Sequence, residues 1–272
     1  MKPAALVLLT DFGLQDAYVG MMKGVIAQID PTLLVIDLTH QIPPQNLMAA
    51  RFTLMAAVPY FPPDSVYVAV VDPGVGTTRR AIAVEFGFSQ NRPVGFLVGP
   101  DNGLFSGVLS QYSPLTAVEL NNSRYWRTLA PSSTFHGRDI FASVGAYLAR
   151  GVPLHDLGST IDLDSLTTLP VPPCCYLQFD NETTIQGCIQ AIDHFGNLIT
   201  TIPGTDVINK QWAVVLDDLT LPGQQTYNDK APGDWVALIG SHGWVEVAIN
   251  QGNAQAQLGL DWGKAIKVVV RG

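Results

Sequence analysis

The sequence has few cysteines, few basic residues and no long apolar run, and each scarcity excludes a class of protein. Only 3 of its 272 residues are cysteines, and none of their spacings is the CxxC pair typical of structural zinc sites. Cys174 and Cys175 are adjacent, so they cannot easily form a disulfide with each other. Because a chain of this length buries a large core without disulfides, we expect a protein of the reducing cytoplasm.

Basic residues are too few for a nucleic-acid-binding protein. The chain has 15 lysines and arginines against 23 aspartates and glutamates, a formal net charge of −8. Binding to a phosphate backbone needs clustered cations that release counterions, so we expect no nucleic-acid partner. Charged residues make up 14% of the chain and hydrophobic residues 47%, which suggests much buried surface, including subunit interfaces. We therefore expect a homo-oligomer.

No apolar run approaches the length that spans a bilayer. The first apolar stretch, Ala4 to Leu9, is too short for the hydrophobic region of a signal peptide and is typical of a buried strand. We therefore expect no membrane partner and a cytoplasmic location.

The first 150 or so residues alternate short apolar runs with stretches of helical spacing. This pattern predicts an α/β domain with a mostly parallel sheet, which we place at residues 1–165. The predicted strands are 6–9, 33–38, 66–71, 81–86 and 94–98, and the predicted helices are 17–29, 47–58 and 139–149. Polar turns follow the carboxyl ends of several strands, where open α/β sheets bind ligands.

The character of the sequence changes after residue 150. Prolines cluster near the end of the segment 152–173, which has no helical periodicity, and we interpret this segment as a linker. From 175 to 272, short alternating segments separated by turn residues predict a smaller all-β domain, a barrel or a sandwich. Its predicted strands are 187–192, 198–202, 212–216, 235–239, 244–249 and 265–270.

Candidate catalytic residues follow the third predicted strand. Asp72 opens the string Asp72-Pro73-Gly74-Val75-Gly76-Thr77-Thr78-Arg79, at the predicted ligand edge of the sheet. An Asp-Pro-Gly string is equally typical of a structural turn. Arg79 is ambiguous as well, because Arg80 lies beside it and one of the two could be only a surface charge.

A second string, Thr134-Phe135-His136-Gly137-Arg138-Asp139, leads into the last predicted helix of the domain. A lone histidine in such a place is more often a hydrogen-bonded structural group than a catalyst. However, Asp72, Arg79 and His136 all fall in segments that can reach the same sheet edge. An acid, a cation and an imidazole buried together perturb one another's protonation and commonly mark active sites.

Other strings contain candidate binding residues. Asp11 follows the first predicted strand and either caps the next helix or accepts the hydroxyls of a ribose. Asp193 to Asn197 is either a hairpin turn or a ligand loop, in which Asn197 suits an amino-acid carboxylate and ammonium and Phe195 could stack on adenine. The same two alternatives hold for Ser241 to Glu246.

Taken in order, these strings resemble those of the S-adenosylmethionine (SAM) hydrolases, also called SAM hydroxide adenosyltransferases, the relatives of the fluorinase and chlorinase enzymes. The resemblance runs nearly end to end, and although each string alone is weak evidence, the ordered set is specific. The matching strings are 10–13, 37–40 with 42–45, 72–79, 99–103, 134–139, 193–197 and 241–246.

The resemblance implies an α/β domain, a smaller β domain and a homotrimer. In that family SAM binds between the first domain of one subunit and the second domain of its neighbour. The resemblance further implies that Asp11 binds the ribose and that Asn197 and Ser241 bind the methionine moiety. Phe195 and the loop of Glu246 would surround the adenine.

The resemblance also implies that Asp72, Arg79 and His136 position and polarise the attacking water, with Asp72 counted among the substrate-binding residues too. In-line attack of water or hydroxide on ribose C5′ would release methionine and form adenosine. We expect neither a metal nor another cofactor, because the sulfonium is already a good leaving group. Whether Asp72 or His136 is the base stays open at this point.

Two other functions remain as alternatives. The halogenase relatives carry tyrosine, threonine and serine where this chain has Asp72, Val75 and Gly137, so a carboxylate that would repel halide stands here instead. A halide-dependent SAM halogenase is nevertheless the first alternative, and a non-catalytic sensor of SAM or adenosine is the second. One departure from the family is Ser143, where members often have proline; it lies within the predicted helix, away from the chemistry.

Overall fold

The computed structural model describes residues 5–88, 92–180, 182–216 and 219–271. The chain divides into two compact units, residues 1–169 and 170–272. Each unit buries a hydrophobic core of its own. None of the helices in the described ranges combines the length and hydropathy needed to cross a bilayer.

The first unit alternates strands and helices. In chain order they are β1 (Leu6–Thr10), α1 (Tyr18–Ile29), β2 (Val35–Thr39), α2 (Leu47–Ala57), β3 (Ser65–Val70), β4 (Ala81–Phe88), β5 (Arg92–Pro100), α3 (Ser106–Gln111), β6 (Ser113–Glu119), α4 (Ala142–Ala149) and β7 (Ser159–Thr160). A five-residue π-helix, Gly137–Phe141, runs directly into α4.

The seven strands form one mixed sheet in the order β2-β1-β3-β5-β4-β6-β7. Strands β2, β1, β3 and β5 pair in parallel, and β4, β6 and β7 add antiparallel pairs. Only three residues separate β4 from β5, too few for a crossover helix, so these two strands pair antiparallel. Every residue of β1 and β3 is buried, as their continuous apolar runs indicate. The predicted α/β domain with a mostly parallel sheet is confirmed.

Helix α4 packs closely on the centre of this sheet. A Cβ atom on Gly145 would lie 2.4 Å from Val68 Cγ2, so a larger residue would push the helix away from β3. Ser143, the departure from the family pattern, is buried in α4 and donates to Tyr125 O at 2.8 Å. The close packing of α4 places the residues just before it at the carboxyl edge of the parallel strands.

The segment 152–169, which we expected to be linker, belongs to the first unit. Leu154 and Leu157 are buried in its core, and β7 pairs with β6. The linker prediction was wrong here because an irregular, proline-containing segment shows no periodicity even when it buries two leucines.

The second unit is mostly β-structure. Its elements are β8 (Cys175–Phe179), β9 (Glu182–Ile192), β10 (Leu198–Pro203), β11 (Gln211–Leu216), β12 (Leu219–Gln224), β13 (Trp235–Ile239), β14 (Trp244–Ile249), α5 (Ala254–Leu258) and β15 (Ala265–Arg271). Strands β10-β14-β13-β12-β11-β15-β9 close into a seven-stranded barrel, because β9 pairs with both β15 and β10. Strand β8 pairs with β9 outside this ring. The predicted all-β domain is confirmed as a barrel.

Candidate functional site

Arg79 connects Asp72 to His136. Its Nε donates to Asp72 Oδ1 and Oδ2 at 3.0 and 3.1 Å, and its Nη2 also donates to Oδ2. The same Nη2 lies 2.8 Å from His136 Nδ1. The side chains of Asp72 and Arg79 are only 5% and 11% exposed, so the ion pair is largely shielded from water. Three residues from two distant strings therefore form one hydrogen-bonded group.

The loop that carries Asp72 leaves β3 at the carboxyl edge of the sheet. It turns at once, with Val75 N donating to Asp72 O at 3.2 Å. Gly76 then adopts a φ of 78°, and a Cβ atom there would lie 2.4 Å from Ser133 O. The close approach of these two backbones brings the Asp72 loop against the loop that carries His136.

The contact with Arg79 determines the tautomer of His136. A guanidinium can only donate, so Nδ1 accepts and the hydrogen of the neutral ring lies on Nε2. Burial and the charge of Arg79 lower the pKa of His136, against the opposing effects of Asp72 and Asp139. We infer that His136 is neutral at neutral pH and presents an N–H group at Nε2.

Asp139, in the π-helix, holds the His136 loop in place. It is fully buried and accepts from Arg127 Nε at 2.6 Å, from Arg138 Nε at 2.7 Å and from Ser132 N at 2.9 Å. Although burial opposes its charged form, the hydrogen bonds from Arg138, Ser132 and Arg127 hold the pKa of Asp139 well below its usual range. The loop is thus closed around a buried carboxylate.

A cavity of about 280 Å³ opens at this edge of the sheet. Polar groups of Asp11, Asp72 and His136 lie in its wall, among apolar and aromatic side chains. Its remaining lining residues are Phe12, Gln45, Val70, Pro73, Val75, Thr134, Phe135 and Gly137. Arg79 is not among the lining residues, so it acts on Asp72 and His136 from behind the cavity wall.

Asp11 lies in the same cavity and does not cap a helix. Helix α1 begins after Ala17, which has no side-chain cap, so the capping alternative is excluded. Asp11 Oδ2 accepts from Gln45 N at 2.8 Å, and Gln45 adopts a φ of 63° that non-glycine residues seldom take. The structure therefore brings four predicted site residues together: Asp11, Asp72, Arg79 and His136.

Arg80 points to a different set of partners. Its Nε donates to Asp101 Oδ2 at 2.8 Å and its Nη1 to Ser165 Oγ at 2.9 Å. Arg80 thus ties the segment after β7 to the sheet. Of the two arginines, Arg79 is the one that contacts Asp72 and His136.

In the second unit, Asp193 organises the loop that contains Asn197. Asp193 Oδ2 accepts from Asn197 Nδ2 at 2.9 Å, and Oδ1 accepts from the backbone N–H of Phe195 and of Asn197, each at 2.9 Å. Asn197 is 6% exposed, whereas the Phe195 ring is 69% exposed. The loop is a tight turn that presents an aromatic face to its surroundings.

Ser241 and Glu246 differ in their environments. Ser241 is exposed, but Glu246 is buried and accepts from Tyr227 Oη at 2.6 Å and from His242 Nε2 at 3.0 Å. Burial, together with the Glu246 hydrogen bond, raises the pKa of Tyr227. Both carboxylate oxygens of Glu246 thus bind groups of their own unit and hold the Ser241 loop in place.

The family models for the SAM hydroxide adenosyltransferase N-terminal and C-terminal domains match residues 6–158 and 187–267. This chain belongs to the SAM hydroxide adenosyltransferase family. The resemblance inferred from the ordered strings is thereby confirmed.

Relatives of this adenosyltransferase-family chain cover nearly its whole length. A protein of Salinispora tropica named (R)-S-adenosyl-L-methionine hydrolase is 40% identical over 268 residues, 95% of each chain. One of the same name from Thermus thermophilus is 37% identical, covering 99% of this chain and 100% of the relative. An uncharacterized conserved protein of Thermotoga maritima has a solved structure with a TM-score of 0.85 and 32% identity, covering 97% of this chain and 99% of that one. Proteins named fluorinase match at 24–26% identity.

Sequence reasoning did not single out several residues of the candidate site. Gln45, Asp139 and the aromatic pair Phe12 and Phe135 lie within strings that were matched to the family, but no role followed from the strings. The two rings meet edge to face, with centroids 5.8 Å apart, in the cavity wall. In the described ranges, no group of three or more His, Cys, Asp or Glu side chains is arranged to hold a metal ion.

Proposed function

We propose that this protein hydrolyses (R)-S-adenosyl-L-methionine to adenosine and L-methionine, by in-line attack of water or hydroxide on ribose C5′. The observation that carries the proposal is the hydrogen-bonded group of Asp72, Arg79 and His136 at a cavity that also contains Asp11. Four relatives that are 31–40% identical over most of the chain bear the name (R)-S-adenosyl-L-methionine hydrolase, which supports the substrate and its sulfonium configuration.

Substrate binding is divided among the predicted residues. Asp11 accepts hydrogen bonds from the ribose hydroxyls. The Gln45 N–H uses one lone pair of Oδ2, and the other lone pairs of the carboxylate remain available. Asn197 and Ser241 bind the methionine moiety. Phe195 and the loop of Glu246 surround the adenine, with the exposed ring of Phe195 suited to stacking.

The reaction transfers no electrons to a cofactor. The oxygen of water forms a bond to C5′, the C5′–S bond breaks with its electron pair going to sulfur, and methionine leaves as a neutral thioether. Water has a pKa of roughly 15.7, so its full deprotonation by an imidazole near 6.5, or by a carboxylate near 3.9, is steep. The attacking water therefore loses its proton while the C–O bond is forming. Alignment supplies much of the rate, because well-oriented intramolecular reactions reach effective molarities of roughly 10⁵–10⁸ M.

The tautomer of His136 supports one division of the two polar roles at the water. Nδ1 accepts from Arg79 and Nε2 carries a hydrogen, so the neutral ring has no free lone pair for a proton. His136 orients the water by donating from Nε2. Asp72 keeps lone pairs beyond those that Arg79 occupies, and it accepts the water's proton. Arg79 fixes both groups.

A halide-dependent reaction is the alternative that the cavity disfavours. Val75 and Gly137, which line it, offer no side-chain hydroxyl to a halide. The Asp72 carboxylate would repel a second anion. Incubation with SAM and chloride or fluoride should yield adenosine alone, and formation of a 5′-halo-5′-deoxyadenosine would instead assign the chain to the halogenases.

Oxygen-18 labelling tests the reaction and the roles together. Each sulfonium epimer of SAM is incubated in oxygen-18 water with the wild type, Asp72→Ala and His136→Ala, and the products are separated by chromatography. We expect label in adenosine O5′ for the wild type with the (R) epimer and a large loss in both variants. Undiminished labelling in both variants removes these residues from the mechanism. Binding of SAM without any release of methionine would identify a sensor.

We also propose a cytoplasmic homotrimer with active sites at subunit interfaces. The hydrophobic fraction of the sequence and the exposed Phe195 support association. Light scattering should give three times the chain mass. Mixing an Asp72→Ala chain with an Asn197→Ala chain should restore activity if two subunits complete one site, and no restoration would contradict the shared site.

A further inference from the structure

A buried histidine lies behind the loop that carries Asp11. His40 follows β2 and is 3% exposed, and its Nδ1 is 2.8 Å from Thr10 Oγ1. Thr10 Oγ1 also accepts from Phe12 N at 3.2 Å. His40 O in turn accepts from Gly13 N at 2.8 Å. His40 therefore contacts the chain on both sides of Asp11 without entering the cavity.

The Asp37 carboxylate, paired with Lys23, lies near the other nitrogen of this ring. His40 Nε2 lies 3.1 Å from Asp37 Oδ1, and Lys23 Nζ donates to Asp37 Oδ2 at 2.6 Å. A carboxylate facing Nε2 favours a hydrogen on that nitrogen, which leaves Nδ1 as an acceptor. The buried Thr10 hydroxyl then donates to His40 and accepts from Phe12, so its donor and an acceptor site are both used.

The same segment reaches Asp11 directly a few residues later. Gln45 donates its backbone N–H to Asp11 Oδ2 at 2.8 Å from a left-handed conformation, which costs backbone energy. The segment 40–45 thus holds Asp11 by the flanking backbone and by one carboxylate oxygen. Three hydrogen bonds from this segment thus converge around one half-buried carboxylate.

We propose that His40 is a positioning residue that aims the Asp11 carboxylate at the two ribose hydroxyls of the substrate. The proposal rests on the proposed function, because it takes Asp11 as the ribose ligand. It predicts a specific defect: loss of His40 weakens recognition of the ribose diol while leaving recognition of the rest of the nucleoside intact.

Calorimetry with two nucleosides tests this role without catalysis. Adenosine carries both ribose hydroxyls and 2′,3′-dideoxyadenosine carries neither. We expect His40→Ala and Thr10→Val to bind adenosine roughly fivefold to tenfold more weakly, about the size of one hydrogen bond, with dideoxyadenosine affinity unchanged. His40→Asn should restore the preference, since its amide oxygen can accept from Thr10. His155→Ala, at a site 77% exposed, is the control and should bind both like the wild type.

Equal weakening of both nucleosides in Thr10→Val, or no recovery in His40→Asn, would reduce His40 to a structural residue and overturn the proposal. These two variants also carry the test if His40→Ala does not fold. SAM hydrolysis is measured on the same wild-type sample. A wild type that prefers adenosine but releases no methionine would contradict the proposed hydrolysis and leave the positioning role standing. A wild type without any preference would overturn the role itself.

Discussion

Replacing Arg79 by lysine should slow the reaction far more than it weakens substrate binding. Arg79 contacts both Asp72 and His136, yet it does not line the cavity. Lysine keeps the charge but concentrates it on one ammonium, which cannot reproduce the planar fork that reaches both partners. The variant should keep one contact with Asp72 and lose the one that fixes the His136 ring.

The size of the effect follows from the contact that is lost. A hydrogen bond involving a charged group contributes about 1.5–3 kcal/mol, and about 1.4 kcal/mol corresponds to tenfold in rate. If the contact between Arg79 and His136 stabilises the transition state, its loss should lower kcat roughly tenfold to 150-fold. KM should stay within about threefold, because Arg79 does not face the substrate.

Chromatographic measurement of adenosine release over a range of SAM concentrations separates kcat from KM. Arg80→Lys is the matched control, because Arg80 is the next residue and pairs with Asp101 and Ser165 instead. We expect its kcat to stay within about twofold of the wild type. A kcat of Arg79→Lys equally close to the wild type, or an equal loss in Arg80→Lys, would refute the reasoning.

Three further predictions concern the loops around the site. Burial and the charge of Arg79 lower the pKa of His136, and the neutral ring is the active form, so the acid limb of kcat/KM should lie below pH 6.5. Arg79→Gln should move this limb to higher pH. A pH–rate profile that shifts to lower pH in the variant would contradict the prediction. Asp139→Asn should lower the free energy of unfolding by about 3 kcal/mol or more at neutral pH. Because the folded-state pKa of Asp139 lies below its unfolded value of about 3.9, that deficit should shrink as pH falls below 4, which thermal melts can follow. Gly76→Ala should lower both stability and kcat through its clash with Ser133 O, whereas Gly151→Ala, with a φ of 92° and open space around it, should lose stability alone.

The sequence placed two residues of the candidate site because strand ends are visible in it. Asp72 follows a buried apolar run, so its place at the ligand edge of the sheet could be predicted, and Asp11 follows another. His136 comes 64 residues after Asp72 in the chain. Its convergence with Asp72 and Asp11 was predicted from the family resemblance and from topology. The tautomer of His136 could not be predicted, because it depends on one contact with Arg79.

Elements without a periodic signal were missed. Strand β12 contains Pro222 and Gly223, residues that usually interrupt strands, but a Cβ on Gly223 would lie 2.2 Å from the Trp212 ring, so packing against the indole requires glycine there. All five residues of β8 are exposed, so no alternation marks that strand. Strand β6 and helix α3 were also not predicted. In each case tertiary contacts decide the local structure.

The π-helix before α4 makes the reach of His136 depend on how many residues one helical turn contains. Successive residues of an α-helix are rotated by about 100° around its axis, and a π-turn accommodates one residue more than an α-turn does. Four α-helical residues and five π-helical residues both rotate the chain by roughly one full turn, so deleting one residue from Gly137–Phe141 would rewind it to an α-turn and leave the imidazole facing nearly the same way. With α4 anchored on β3 through Gly145, a two-residue deletion cannot be absorbed in this way and would turn the imidazole about a quarter of a circle away from its guanidinium. The longer deletion should therefore abolish activity while leaving the sheet and the barrel folded.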